Sequence, residues 1–167
     1  KFIDGIDLKQ DNFEYTAAAS ASSELIKVPI EKKVKTAALA PVKFATEQCK
    51  KLQFKYAQLM DIDIEEIANL TMFHFIEEWW RTSYRYGGSS KKGIDCSALT
   101  GLLLSTVYGV VMPRTAREQF NRSSKILRNE IKEGDLVFFN TRGGVSHVGV
   151  YLANDYFVHA SVSSGVT

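Results

Sequence analysis

The sequence predicts an α+β fold in which helices pack against one side of an antiparallel sheet. Two apolar stripes with helical spacing lie in residues 46–80, and the apolar run that begins at Cys96 has the same period. Three short runs rich in β-branched and aromatic residues follow, at 133–140, 146–152 and 156–161. Together these observations predict three main helices followed by an antiparallel meander.

The composition is that of one globular domain. The chain has 167 residues, of which 45% are hydrophobic, and this is enough for one full core. The net charge is +2 and no basic block is present, so we expect neither a nucleic-acid partner nor an anionic membrane surface. No apolar run approaches the roughly 18 residues that a membrane helix needs.

Residues 1–43 keep neither a helical nor a strand period, because charged and small residues alternate irregularly. We expect a loosely ordered tail there and a single domain over 44–167. The chain ends at Thr167, where a further strand would fit, so we expect the C-terminal strand to be cut short. Since the chain begins at Lys1 and not at methionine, we also expect that an export signal preceded it.

Two helices are predicted before the cysteine. Cys49 lies on the first stripe and is interpreted as a core residue. His74 lies in the second helix without a neighbouring nucleophile or ligand, so it is interpreted as a packed or solvated histidine. The stripes consist of Cys49, Leu52, Tyr56, Leu59 and Met60, and of Ile67, Leu70, Phe73, Ile76 and Trp80.

The glycine- and serine-rich segment 84–93 is predicted to be an exposed loop that leads to the cysteine helix. Asp95 can cap that helix, which places Cys96 in its first turn. Unpaired N–H groups at a helix start favour a thiolate, the form that attacks carbonyl carbon. A buried core cysteine is the alternative, and only a nearby base would distinguish the two.

The meander supplies two candidate bases. A short helix should begin at Thr115 before it. If the loop between the second and third strands has three residues, residues of these two strands pair when their numbers sum to 308. His147 then faces Ser161, and His159 lies diagonal to His147 on the same face of the sheet. Gly149 would lie between the histidines and leave room for the cysteine helix or a substrate. Two structural histidines are the alternative.

Cys49 and Cys96 are the only cysteines, and they are not in a CxxC pattern. The sequence therefore suggests neither a disulfide framework nor a structural zinc site. We expect no metal and no cofactor.

Six motifs occur in the order of a known family. The sequence resembles the NlpC-type cell-wall cysteine peptidases, a papain-like family that cleaves the peptide stems of peptidoglycan, and it is most similar to the short Spr-like murein endopeptidases. The motifs are YRYGG at 84–88, GIDCSAL at 93–99, MPRTAREQ at 112–119, EGDLVFF at 133–139, SHVGVYL at 146–152 and VHAS at 158–161.

The resemblance implies a role for each matching residue. Cys96 would be the nucleophile, His147 the general base and His159 the third member that orients the base. Tyr84 would help to hold the oxyanion, and Asp95 and Ser97 would contact the substrate stem.

The expected activity is that of a peptidoglycan endopeptidase with a Cys-His-His triad and an acyl-enzyme intermediate. We expect a monomer that is exported to the periplasm or cell envelope, with a membrane tether through a lipid attached before residue 1. Two alternatives stay open: a related cysteine acyltransferase or amidase, and a catalytically silent wall-binding module.

Overall fold

The computed structural model describes residues 14–17, 40–141 and 143–167. The helices are α1 (Ala40–Met60), α2 (Leu70–Trp79), α3 (Cys96–Tyr108) and α4 (Ala116–Arg122). The strands are β1 (Glu14–Ala17), β2 (Ser89–Ser90), β3 (Gly93–Ile94), β4 (Ser124–Ile126), β5 (Leu136–Asn140), β6 (Val145–Tyr151), β7 (Phe157–Val158), β8 (Ala160–Ser161) and β9 (Gly165–Val166). No helix in these ranges is long and apolar enough to cross a membrane.

Both predicted helices before the cysteine are present. The second begins later than its apolar stripe, because the Asn69 side chain caps it by accepting a hydrogen bond from the Met72 N–H, at 3.2 Å. His74 is exposed on this helix, as predicted. Cys49 is only half-buried and lies outside the core, so its interpretation as a core residue is wrong. From residue 47 onward, the first buried residue of α1 is Leu52.

The short helix α4 begins where its capping signal predicts. The Thr115 hydroxyl accepts a hydrogen bond from the Glu118 N–H at 3.3 Å, and the Glu118 carboxylate accepts one from the Thr115 N–H at 3.2 Å. This reciprocal pair satisfies two N–H groups that a helix start leaves unpaired.

The meander is confirmed as β5–β6–β7 of a five-stranded sheet with the order β4-β1-β5-β6-β7. The pairs Val150–Val158 and Tyr151–Phe157 have the predicted register. The predicted pairing of His147 with Ser161 is wrong, because the chain leaves this sheet after Val158. Ser161 pairs with Gly165 in a separate two-stranded sheet.

The region predicted to be a loosely ordered tail contains β1, which pairs with β4 on one side and β5 on the other. A strand of four residues is too short to show a period, and its backbone hydrogen bonds to two neighbours are not visible in the local sequence. Residues 1–13 and 18–39 lie outside the described residues, so the division into a tail and a domain stays a prediction.

The strand expected near the chain end is present as β9. It lies between β8 and the segment that follows α2, where the Val166 N–H donates to the Thr82 carbonyl at 2.9 Å. The next residue, Thr167, exchanges two backbone hydrogen bonds of 3.0 Å with His159. The second candidate histidine is therefore held by backbone pairing.

The core lies between the helices and the inner face of the sheet. Alternate residues of the meander point into it and meet the apolar side of α3, which explains why the cysteine helix is fixed against β6. The buried sheet and helix residues at this contact are Phe138, Val148, Val150, Val158, Leu99, Leu103 and Leu104.

Candidate active site

Cys96 lies at the first position of α3, directly beside β6. Cys96 is 6% exposed, and the helix that it begins packs against β6. Asp95 caps the helix as predicted, since its carboxylate accepts from the Ala98 N–H at 2.8 Å. The cysteine helix is therefore fixed beside the strand that carries His147.

The resting cysteine is a neutral thiol. Burial raises the pKa of Cys96, and the negative charge of Asp95 acts in the same direction. The N–H groups of Val148, Ser97 and Cys96 itself lower this pKa, but they do not outweigh burial. The N–H groups at the helix start favour a thiolate, as predicted, but burial outweighs them and the thiol needs a base.

The two histidines share one face and contact each other, as predicted. His147 Nε2 and His159 Nδ1 are 2.7 Å apart, and the rings meet edge to face at 87°. His147 is half-buried and His159 is buried. With its Nε2 occupied in this way, His147 has Nδ1 left for a proton transfer.

Aromatic rings surround the histidine pair. Phe139 lies 5.7 Å from the His147 ring, Phe157 lies 5.1 Å from the His159 ring, and the two phenylalanines are 5.2 Å apart, all between ring centroids. Burial lowers the pKa of His147, the charge that His159 can carry acts in the same direction, and together they bring it to about 4. His147 is therefore neutral, and able to accept a proton, near pH 7.

Gly149 lies on the same face, but its role differs from the predicted one. A Cβ at this position would lie 2.7 Å from Phe157 Cδ2, 2.9 Å from the Val158 carbonyl oxygen and 3.3 Å from His159 Cβ. The space is thus filled by β7 and by His159, which follows it. It does not hold the cysteine helix or leave room for a substrate.

Tyr84 is held close to the start of the cysteine helix by its backbone. A parallel bridge pairs it with Ile94, formed by the Arg85 N–H to the Ile94 carbonyl at 3.1 Å and the Ile94 N–H to the Ser83 carbonyl at 3.0 Å. Its half-buried side chain packs against the core. The role of its hydroxyl toward an oxyanion stays a prediction.

Asp95 forms a two-point ion pair with Arg114, a residue to which the sequence analysis gave no role. Arg114 Nη1 donates to Asp95 Oδ1 at 2.9 Å and Nη2 donates to Oδ2 at 2.8 Å. Burial by itself would raise the pKa of Asp95, but the hydrogen bonds from Arg114 and the Ala98 N–H outweigh it and the pKa is lowered. A buried acid before the nucleophile needs a cation, and that requirement is the signal that could have identified Arg114.

Asp95 and Ser97 are both buried and both engaged within the protein. Asp95 Oδ1 accepts from the Ser97 hydroxyl at 3.1 Å, and Oδ2 accepts from the Gly87 N–H at 3.0 Å. The Ser97 hydroxyl in turn accepts from Arg114 at 3.1 Å. Their predicted contacts with a substrate stay a prediction, and a substrate has to compete with these partners.

Gln119 is a second residue without a predicted role. It is fully buried, and its Nε2 donates to the carbonyls of Ser97 at 2.9 Å and Pro113 at 3.0 Å. Its Oε1 accepts from the Thr100 hydroxyl at 2.9 Å. Gln119 therefore joins the first turn of α3 to the segment that carries Arg114. Glutamine is mostly a surface residue, so nothing in the local sequence indicated a buried role at this position.

Comparison with curated proteins finds relatives over about half of the chain. A protein named probable endopeptidase NlpC homolog, from Haemophilus influenzae, is 49% identical over 90 residues, which cover 54% of this chain and 48% of the relative. The Escherichia coli K12 protein named murein DD-endopeptidase MepS/murein LD-carboxypeptidase is 43% identical over 89 residues, covering 53% and 47%. The chain thus spans about half the length of these relatives.

Solved structures with the same fold confirm the predicted α+β class. A lipoprotein-like NLP/P60 protein from Staphylococcus aureus matches with a TM-score of 0.54 and 28% identity, over 64% of this chain and 37% of that chain. The NlpC/p60 domain of the peptidoglycan hydrolase SagA matches with a TM-score of 0.52 and 26% identity, over 60% and 87%. The family model described as NlpC/P60 matches residues 81–167, just over half of the chain. The chain therefore belongs to the NlpC/P60 family, as its motifs predicted.

Proposed function

We propose that this chain is a cysteine peptidase that hydrolyses peptide bonds of peptidoglycan stems or cross-links. The observation that carries the proposal is that α3, which begins at Cys96, packs against β6, the strand on which His147 lies 2.7 Å from His159. This arrangement supports a nucleophile, a neutral base and a partner for the base. The names of the murein endopeptidase relatives support peptidoglycan as the substrate.

In the proposed reaction, His147 Nδ1 accepts the thiol proton as the sulfur attacks the carbonyl carbon. In the neutral base, Nε2 carries the ring proton and donates a hydrogen bond to His159 Nδ1. This hydrogen bond fixes the tautomer of His147. When His147 becomes an imidazolium, this hydrogen bond becomes charge-assisted and stronger.

The negative oxygen of the tetrahedral intermediate is held by the backbone N–H of Cys96 at the helix start and by the Tyr84 hydroxyl. The intermediate collapses as the C–N bond breaks, and His147 gives its proton to the leaving amine. Water then attacks the thioester with His147 as the base, and cleavage of the C–S bond releases the carboxylic acid and the thiol.

A peptidoglycan substrate implies a place of action outside the cytoplasm. We propose that the protein is exported to the cell envelope, and that a lipid attached before residue 1 tethers it to a membrane.

The test is digestion of purified muropeptides, with the products identified by mass spectrometry. The wild-type chain should release a new free amino group, whereas Cys96→Ala should be inactive with an unchanged unfolding midpoint, because the change removes the nucleophile and little volume. Cys49→Ala is the matched control and should keep its turnover. Consumption of an acyl donor without a new amine would indicate the acyltransferase instead, and turnover by Cys96→Ala would refute the peptidase.

A further inference from the structure

We infer that Arg117 binds an ionised carboxylate of the substrate peptide and thereby selects acidic stems, a role that depends on the proposed function. Arg117 is exposed on α4, and its guanidinium lies over Gly144 in the turn that leads into β6. A Cβ at Gly144 would lie only 2.5 Å from Arg117 Nη2, so the end of the arginine side chain lies directly against the backbone of this turn.

The turn beneath the guanidinium is braced by side chains. The Gly144 N–H donates to Asn140 Oδ1 at 2.7 Å, and the Thr141 N–H donates to the Ser146 hydroxyl at 3.2 Å. The helix on the other side is fixed as well, because α4 packs against β6. The turn that Arg117 lies against is therefore held by its own hydrogen bonds and by the packing of α4 on β6.

Within the described part of the chain, no carboxylate pairs with Arg117, although nearby arginines have such partners. Arg114 pairs with Asp95, and Arg128 pairs with Asp155 at 3.1 Å. The acid next to Arg117 in the sequence, Glu118, accepts the hydrogen bonds of the helix cap. An exposed guanidinium that has no carboxylate partner among the described residues is suited to two-point binding of a carboxylate.

Its distance from the reacting groups fits a substrate residue near the cleaved bond. Gly144 precedes His147 by three strand residues, or roughly 10 Å at about 3.3 Å per residue. At the other end, the segment before α4 reaches Asp95, which precedes Cys96. An extended peptide that places its carbonyl at Cys96 would therefore bring a carboxylate two or three residues away to Arg117.

Peptidoglycan stems contain two such carboxylates, because D-glutamate and diaminopimelate each retain one that is not part of a peptide bond. The test compares three purified muropeptides: the unmodified stem, the stem amidated at D-glutamate and the stem amidated at diaminopimelate. We expect one amidation to raise the wild-type KM about 5- to 10-fold, as is typical of losing one charged contact at a partly exposed site. The amidation that does so identifies the source of the carboxylate.

Arg117→Gln should raise KM for the unmodified stem by the same factor, leave kcat unchanged and remove the discrimination. Arg117→Lys should retain part of it, because an ammonium keeps the charge but lacks the planar fork. Arg122→Gln, an exposed arginine at the end of the same helix, is the matched control and should behave as wild type.

The inference is overturned if Arg117→Gln leaves KM unchanged, or if it weakens cleavage equally on unmodified and amidated stems. It is also overturned if neither amidation changes the wild-type KM. In these cases the wild-type chain still cleaves muropeptides, so the proposed function stands. A wild-type chain that cleaves none of the three substrates would refute the proposed function and the inference with it.

Discussion

Gly149→Ala should separate His147 and His159, the two proposed catalytic histidines, without changing either of them. The added methyl group would lie 2.9 Å from the Val158 carbonyl oxygen and 2.7 Å from the Phe157 ring, at least about 0.5 Å closer than ordinary contacts. Because Val158 belongs to the backbone of β7, the strand that leads to His159 has to move. A shift of about 0.5 Å lengthens the 2.7 Å bond between His147 and His159 to the limit of hydrogen bonding.

We expect a loss of about 1–2 kcal/mol in unfolding free energy, in the range for overpacking, and a fall in kcat of about 10- to 100-fold. Gly109→Ala is the control, since Gly109 has a φ of +67° and no atom within 4 Å of the added Cβ. It should lose about 1 kcal/mol of stability through backbone strain and keep its turnover. Urea unfolding and muropeptide turnover measure both quantities, and wild-type turnover in Gly149→Ala would refute the reasoning.

Three further predictions concern the same site. His159→Ala should lower turnover about 10- to 100-fold, but less than His147→Ala does. His159→Asn or His159→Gln should recover part of the turnover, because an amide oxygen can accept a hydrogen bond from the His147 N–H. Equal activity across this series would remove His159 from the site. The unfolding free energy should fall by roughly 2–3 kcal/mol as the pH drops from about 6.5 to 4. The reason is that folded His147, with its pKa at about 4, binds fewer protons than His147 in the unfolded chain. Urea unfolding of His147→Gln should show no such pH dependence, and an unchanged dependence would contradict the assignment. Arg114→Met should cost about 2–4 kcal/mol of stability at pH 7, because it leaves the buried Asp95 carboxylate without its cation, and a variant as stable as wild type would contradict that role.

The elements that the sequence predicted correctly depend on local periods and caps. Cys96 was placed at a helix start because Asp95 precedes an apolar run, and that cap is formed. The register of β6 and β7 was predicted because strand pairs follow from the loop length, and Val150 does face Val158. The same rule failed at Ser161, because the chain leaves the sheet after Val158. The loop length sets the register of a strand pair, but it does not show where the pairing ends.

What the sequence did not reveal depends on contacts between distant segments. The role of Arg114 follows from its pairing with Asp95, which lies 19 residues earlier. The role of Gln119 follows from carbonyls that two separate segments bring to it. Gly149 was placed on the correct face, but the ring that fills the space beside it comes from the neighbouring strand. None of these contacts produces a repeating pattern in the local sequence.

The electrostatics of the site determine when the nucleophile forms. Burial raises the pKa of Cys96 and lowers that of His147 to about 4, so the pair rests as a protonated thiol and a neutral imidazole at pH 7. In the proposed reaction, proton transfer becomes favourable as the sulfur attacks, when the negative charge passes from the sulfur to a substrate oxygen that the helix start can stabilise.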